Sequence, residues 1–254
     1  MTTILFLHGF LGDRNDFRSL FSHLPSHWNL IALDLPGHGE NSLPEGLDSP
    51  CTLSTVAALL RSDLDCQNLL DEPPILYGYS MGGRIALKLA MDNPASFRAL
   101  ILESASPGMD ERNENLRTQR IQEDQSRAKA IRADFPGFLR RWYSLPLFGP
   151  LKSHRDFNEM LERRNQNNPD QVARIIEEMS PGAQKDLTPA LASLVLPTLL
   201  LAGEEDKKYS AASPSWAKAL PKGEARIISG AGHNCHVEKP EELAIALQDF
   251  VAAL

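Results

Sequence analysis

Gly78-Tyr79-Ser80-Met81-Gly82 sets a serine between two glycines at the spacing of a nucleophile elbow, a turn so tight that only glycine fits two residues either side of the serine. Such a turn exposes the serine Oγ above the end of a strand, with the N-terminus of the next helix behind it. The apolar run from Pro74 to Tyr77 reads as that strand, and Gly83-Arg84-Ile85-Ala86-Leu87-Lys88-Leu89-Ala90 reads as that helix. A serine hydroxyl is inert at neutral pH until an imidazole takes its proton and a carboxylate holds the imidazole. Asp206, in Gly203-Glu204-Glu205-Asp206, and His233, in Gly230-Ala231-Gly232-His233, each follow a strand-like run, and the order Ser80, Asp206, His233 is that of an elbow-borne triad. Glu204 and Glu205 compete with Asp206 for the acid, which the position after the strand end favours. A developing oxyanion also needs two backbone N–H groups. The loop His8-Gly9-Phe10-Leu11 brings the N–H of Phe10, or of its neighbour Leu11, to the edge where Met81 lies. His8 is expected to brace that loop by hydrogen bonding, and His38, in Pro36-Gly37-His38-Gly39, to serve its turn.

The elements that must carry these residues are short apolar runs closed by Gly or Pro: Ile4 to Leu7, Leu30 to Leu33, Ile75 to Tyr77, Ala99 to Leu102, Thr198 to Ala202 and Ala225 to Ile228. Runs of this kind are buried parallel strands, and helical patterns between several of them, as over Asp16 to Leu24, give an α/β chain: an open, mostly parallel sheet with helices on both faces. Every candidate residue then lies on a loop at the carboxyl ends of the strands, where such sheets place their sites. From about Asp110 to Pro189 the rhythm breaks into charged helical stretches separated by Pro136, Pro146, Pro150, Pro169 and Pro181. We expect a helical cap insertion at 110–189 over a core of 1–109 and 190–254. Residues 110–165 hold 12 Lys/Arg against 9 Asp/Glu, a local excess of +3 in a chain whose net charge is −7. Taken alone, that block also fits a solvated helix face.

Composition limits the function classes. The 254 residues are 42% hydrophobic and 23% charged, with 16 Gly and 18 Pro, which is a globular composition and excludes disordered and collagen-like chains. A net charge of −7 gives no field to attract nucleic acid or anionic lipid. Cys51, Cys66 and Cys235 are too few for a disulfide framework and too widely spaced for a zinc site, so no metal is expected. No apolar stretch is long enough to span a membrane, and the N-terminus lacks the basic and apolar regions of an export signal. The expected setting is cytoplasmic and reducing, with no membrane or nucleic-acid partner.

The motifs His8-Gly9-Phe10, Asp34-Leu35-Pro36-Gly37-His38-Gly39, the elbow and Gly232-His233 together resemble the α/β-hydrolase superfamily over nearly the whole chain. The resemblance begins at the strand carrying the oxyanion loop, so the antiparallel hairpin usual at the start of that fold is expected to be missing. Gly78 to Arg84 and Gly232-His233-Asn234-Cys235-His236-Val237-Glu238-Lys239-Pro240 narrow it to the 2-succinyl-6-hydroxy-2,4-cyclohexadiene-1-carboxylate synthase family of menaquinone and phylloquinone biosynthesis. Ser106-Pro107-Gly108-Met109, Arg117-x-x-Arg120-x-x-x-Asp124, Trp142-Tyr143, Pro146-Leu147-Phe148 and Arg163-Arg164-Asn165-Gln166-Asn167 match as well. Met81 and Cys235 depart mildly from the pattern, standing where leucine and a small residue are common.

That family comprises lyases that release pyruvate from an enolpyruvyl cyclohexene bearing carboxylates and a succinyl ketone. The resemblance implies a small anionic substrate, no cofactor, and substrate binding by Arg84, Arg120 and Arg164, with Tyr79 and Trp142 as pocket walls. Arginine suits such a substrate because its planar fork pairs with carboxylates. The register around residues 112–120 is loose, which leaves Arg117 as the alternative to Arg120. Ser80, made basic by His233 and Asp206, would remove a proton α to the ketone while Phe10 and Met81 hold the enolate. The same triad would also serve an esterase or a carbon–carbon bond hydrolase, and the fold alone could carry a non-catalytic anion-binding module.

Overall fold

The computed structural model describes residues 1–254. β1 (Thr3–Leu7) leads through α1 (Arg18–Phe21) to β2 (Asn29–Leu33), then α2 (Leu53–Cys66), β3 (Ile75–Tyr79), α3 (Met81–Asp92) and β4 (Ala99–Glu103). After β4 come α4 (Glu114–Ala133), α5 (Phe135–Trp142), α6 (Phe157–Arg164) and α7 (Pro169–Glu178), with no strand among them. The chain then returns through β5 (Thr198–Gly203), α8 (Lys207–Ala219), β6 (Gly223–Ile228), α9 (Cys235–Glu238) and α10 (Pro240–Ala252). The six strands form one sheet in the order β2-β1-β3-β4-β5-β6, every pair parallel.

β3, β4 and β5 are buried throughout, because helices cover both faces, and this is why their sequences are continuous apolar runs. On one face Leu5, Leu7, Leu76, Leu100 and Leu200 pack with Val56, Leu60, Ile85 and Leu89 from α2 and α3. On the other, Ile4, Phe6, Tyr77, Ile101 and Leu199 pack with Leu243, Leu247 and Phe250 from α10. A third cluster joins Leu11 to Ile131, Phe138, Tyr143, Phe148 and Val172 of the segment between β4 and β5, seating those helices over the strand ends. α4 is unusual: its buried residues are Asp124, Ala128 and Ile131, so a carboxylate occupies a position where an apolar side chain is normal.

The helix expected over Asp16 to Leu24 is shorter than its spacing implies. A capping box between Asp13 and Asp16 tightens Arg14–Phe17 into a 3-10 turn, one α-helical turn follows at Arg18–Phe21, and Pro25 closes the segment. Phe17 and Leu20 still reach the core. No helix is long and apolar enough to cross a membrane.

The elbow joins β3 to α3 with Ser80 at φ 50° and ψ −107°, a strained conformation for a residue with a Cβ. Its N–H donates to the Glu103 carbonyl at 2.8 Å, which anchors the strained residue to β4. A Cβ on Gly82 would overlap the carbonyls of Leu7 and His8, so glycine lets α3 lie directly against the end of β1. Gly82→Ala should therefore cost about 3 kcal/mol, the price of overpacking against rigid backbone, read as a lower urea midpoint. A midpoint equal to the parent's would show that β1 and α3 are not locked together here.

Candidate active site

The carboxyl ends of β1, β3, β5 and β6 bring the separate motifs together. Asp206, leaving β5, accepts a hydrogen bond from His233 Nδ1 at 2.6 Å, and His233 Nε2 lies 3.1 Å from Ser80 Oγ. Asp206 and His233 are each 4% exposed, so little water competes for the imidazole. Neither rival acid occupies that place: Glu204 accepts from Ser229 Oγ and the Gly230 N–H, and Glu205 is exposed beside Lys207. A hydroxyl hydrogen-bonded to an imidazole that is itself held by a carboxylate can lose its proton to that imidazole, and so can act as nucleophile or base.

Phe10 and Met81 both border the cavity in front of Ser80, and neither backbone N–H donates to a protein acceptor. Leu11 is fully buried and lies outside the cavity wall. The loop carrying Phe10 is fixed from beneath by His8, whose Nδ1 lies 2.8 Å from the Gly9 carbonyl and whose Nε2 accepts from the Leu35 N–H at 3.0 Å. Those partners define the neutral tautomer, and burial lowers the His8 pKa. His38 packs edge-on against both His8 and Phe10.

Cations line the rest of the cavity, in three different states. Arg84, one turn into α3, is 8% exposed and donates Nη1 to the Met179 carbonyl at 3.0 Å and to Gln184 Oε1 at 2.8 Å. No carboxylate pairs with it. Burial pushes its pKa down to about 10, and the nearby Arg120 charge works in the same direction, so it is still cationic at neutral pH.

Arg120 and Arg127 share Asp124, which accepts from Arg120 Nε at 2.8 Å, Arg127 Nη1 at 2.6 Å and Ser180 Oγ at 2.7 Å. Arg127 also reaches Glu123 at 3.4 Å and lies over the Trp142 ring. Arg117 does not border the cavity; its guanidinium is spent on the Gly182 and Gln184 carbonyls.

Arg164 differs from Arg84 in its partners. It borders the cavity, but not as a free cation: Nη1 pairs with Asp13 at 3.0 Å, Nη2 with Asp16 at 2.6 Å, and Nε donates to the Tyr143 hydroxyl at 3.1 Å. Burial opposes the charge, yet Asp16, Tyr143 and Asp13 together outweigh it and hold the Arg164 pKa above its usual value. Its charge ties α6 to the loop after β1. Tyr79 and Trp142 both form cavity wall; the Tyr79 ring packs on His233, and Trp142 meets Phe10 edge-on.

Sequence reasoning missed Arg127 and Lys208 as lining residues. Arg127 follows Arg120 by seven residues, two helical turns, so the face of α4 that carries one carries the other. Lys208 stands two residues after Asp206, a spacing that marks no shared face.

Buried His38 gives a pH test. Burial first, then the neighbouring His8 and Arg164, bring its pKa down to about 3 from 6.5. The unfolded chain therefore binds a proton below about pH 6.5 that the folded chain refuses until about pH 3, and stability falls as pH drops through that window. The slope from this one group approaches 1.4 kcal/mol per pH unit. Urea titrations of His38→Gln between pH 7 and 4 should show a shallower acid loss than the parent; equal slopes would contradict the neutral buried imidazole.

The model for the alpha/beta hydrolase fold matches residues 2–240. The 2-succinyl-6-hydroxy-2,4-cyclohexadiene-1-carboxylate synthase of Serratia proteamaculans is 32% identical over 252 residues, covering 98% of this chain and 92% of that protein. The protein of the same name from Salmonella agona is 33% identical over 251 residues, covering 98% and 93%. Among solved structures, MenH from S. aureus superposes with a TM-score of 0.91 at 32% identity, covering 99% of this chain and 94% of that one. An esterase from Thermogutta terrifontis shares the fold, with a TM-score of 0.83 at 22% identity. The chain belongs to the α/β-hydrolase fold family and, within it, to the family of 2-succinyl-6-hydroxy-2,4-cyclohexadiene-1-carboxylate synthases.

Proposed function

We propose that this protein is a carbon–oxygen lyase of menaquinone or phylloquinone biosynthesis that eliminates pyruvate from 2-succinyl-5-enolpyruvyl-6-hydroxy-3-cyclohexene-1-carboxylate. The observation that carries the reading is one cavity holding both the Ser80–His233–Asp206 chain and a buried guanidinium, Arg84, with no carboxylate of its own. A buried charge left without a counter-ion is costly, and an anionic ligand supplies what the protein withholds. The near-full-length relatives named for the product of this reaction support the same substrate class.

In this mechanism Ser80, its proton drawn to His233 Nε2, takes the hydrogen from the ring carbon α to the succinyl ketone. Asp206 holds Nδ1 and stabilises the imidazolium that results. The ketone oxygen gains negative charge and receives the N–H groups of Phe10 and Met81, already positioned and unspent. The electron pair returns as a 2,3 double bond, the 3,4 double bond moves to 4,5, and the C5–O bond breaks. The departing enolate takes the proton held on His233 and becomes pyruvate, which returns the triad to its starting state. No acyl-enzyme forms, because no ester or amide carbonyl is attacked. Arg84 and Arg120 bind carboxylates of the substrate, and Arg164 fixes the wall through Asp13, Asp16 and Tyr143. Tyr79 and Trp142 enclose the ring.

The rival is ester hydrolysis by the same triad. A pocket for apolar esters has no use for an unmatched Arg84, so pyruvate release should exceed aryl-ester hydrolysis by orders of magnitude in kcat/KM. Following pyruvate with lactate dehydrogenase, Ser80→Ala should lose about a thousandfold or more in kcat, as members of a coupled triad do. Full pyruvate release by Ser80→Ala, or ester turnover equal to pyruvate release, would overturn the reading.

A further inference from the structure

Five cationic side chains border the cavity, and their partners divide them. Arg120 and Arg127 share Asp124, with Glu123 reaching Arg127, and Arg164 is matched by Asp13 and Asp16. Two have no carboxylate partner. One is Arg84, at the buried end. The other is Lys208, on the open side, whose ammonium makes no hydrogen bond or ion pair with the protein and lies 5.0 Å from the centre of the Tyr209 ring. That ring lies 5.5 Å from the ring of His233, so one aromatic side chain neighbours both the ammonium and the imidazole.

We propose that Lys208 is a second substrate anchor, pairing with one carboxylate at the mouth of the cavity while Arg84 holds another in its depth. The neighbouring residue shows that local partners are within reach of this helix turn. Lys207 bonds the Glu204 carbonyl at 3.0 Å and approaches Glu205 at 3.9 Å, whereas Lys208 is turned away from both and toward the cavity. A cation in the first turn of α8 opposes the helix dipole, and the protein offers it only the face of the Tyr209 ring, with no carboxylate. A ligand carboxylate does so. Lysine fits an open mouth, being a point charge with three donors on a flexible stem that follows a ligand as it enters. In a chain of net charge −7, an unpaired cation at the entrance also offsets the repulsion that a polyanion meets on approach. Two unmatched cations flanking one reactive serine suit a ligand with carboxylates at both ends, and the elimination product named above carries one on the ring and one on the succinyl arm.

The inference rests on the elimination reading, and the test separates the two. Steady-state pyruvate release is measured for the parent, Lys208→Met, Lys208→Arg and Lys207→Met over a range of ionic strength. Methionine keeps the stem against Tyr209 and removes the charge. Loss of one charge-assisted hydrogen bond should raise KM about tenfold in Lys208→Met while kcat stays within about twofold, and should flatten the salt dependence of kcat/KM. Lys208→Arg should restore most of the loss, and Lys207→Met, which removes the same charge outside the cavity, should match the parent. An active parent with an unchanged KM in Lys208→Met, an equal loss in Lys207→Met, or no recovery in Lys208→Arg overturns the role of Lys208 and leaves the lyase reading standing. A parent that releases no pyruvate overturns both.

Discussion

A buried guanidinium without a carboxylate is the constraint around which this site is arranged. Arg84 is one helical turn from the reactive serine, so it cannot leave without moving the elbow, and it is too deep to reach bulk water. The protein meets its charge only with neutral oxygens, the Met179 carbonyl and Gln184 Oε1. Gln184 in turn donates to the Pro107 carbonyl, so the segment after α7 is latched to the loop after β4 through this one side chain. Neutral acceptors lower the cost of burying the cation without cancelling its charge, and under the proposed function a substrate carboxylate would do so.

Ser80 and His233 are held by the opposite strategy, in which each has protein partners. Ser80 is strained in φ and ψ but fastened through its N–H to β4, and His233 has partners on both ring nitrogens. Behind the elbow, Glu103 is wholly buried and accepts from the Tyr77 hydroxyl, from the His236 N–H and from His236 Nδ1 at 2.8 Å. Burial opposes charge on His236, and Glu103 outweighs it and raises the imidazole pKa. This network fastens α9, which follows His233 directly, to β3 and β4 on the far side of Ser80. A rigid base beside an unsatisfied cation is the division of labour that proton abstraction from a polyanion calls for.

How much of this could be read from residues alone follows from the range of each signal. The positions of Ser80, Asp206 and His233 at strand ends were legible because each is marked by its neighbours: glycines around the serine, an apolar run before each partner. The parallel sheet was legible because burial on both faces leaves uninterrupted apolar runs. The state of the arginines was not legible, because pairing is settled across the fold. Arg164 meets Asp13 and Asp16, roughly 150 positions earlier in the chain, and no local pattern announces that encounter. The same pair of aspartates tightened Arg14–Phe17 into a 3-10 turn, so one ion cluster altered both a helix and a cation that the sequence presented as independent. Lys208 escaped notice for the converse reason, since its significance lies in a partner it lacks.

The most direct test of the central claim is the kinetics of pyruvate release by Arg84→Gln and Arg84→Lys, compared with the parent at equal ionic strength. If the uncompensated guanidinium is what the substrate completes, glutamine should raise KM about a hundredfold, the worth of a buried bidentate carboxylate contact, and lysine should recover part of it. An Arg84→Gln enzyme that folds as the parent does and keeps its KM would contradict the account.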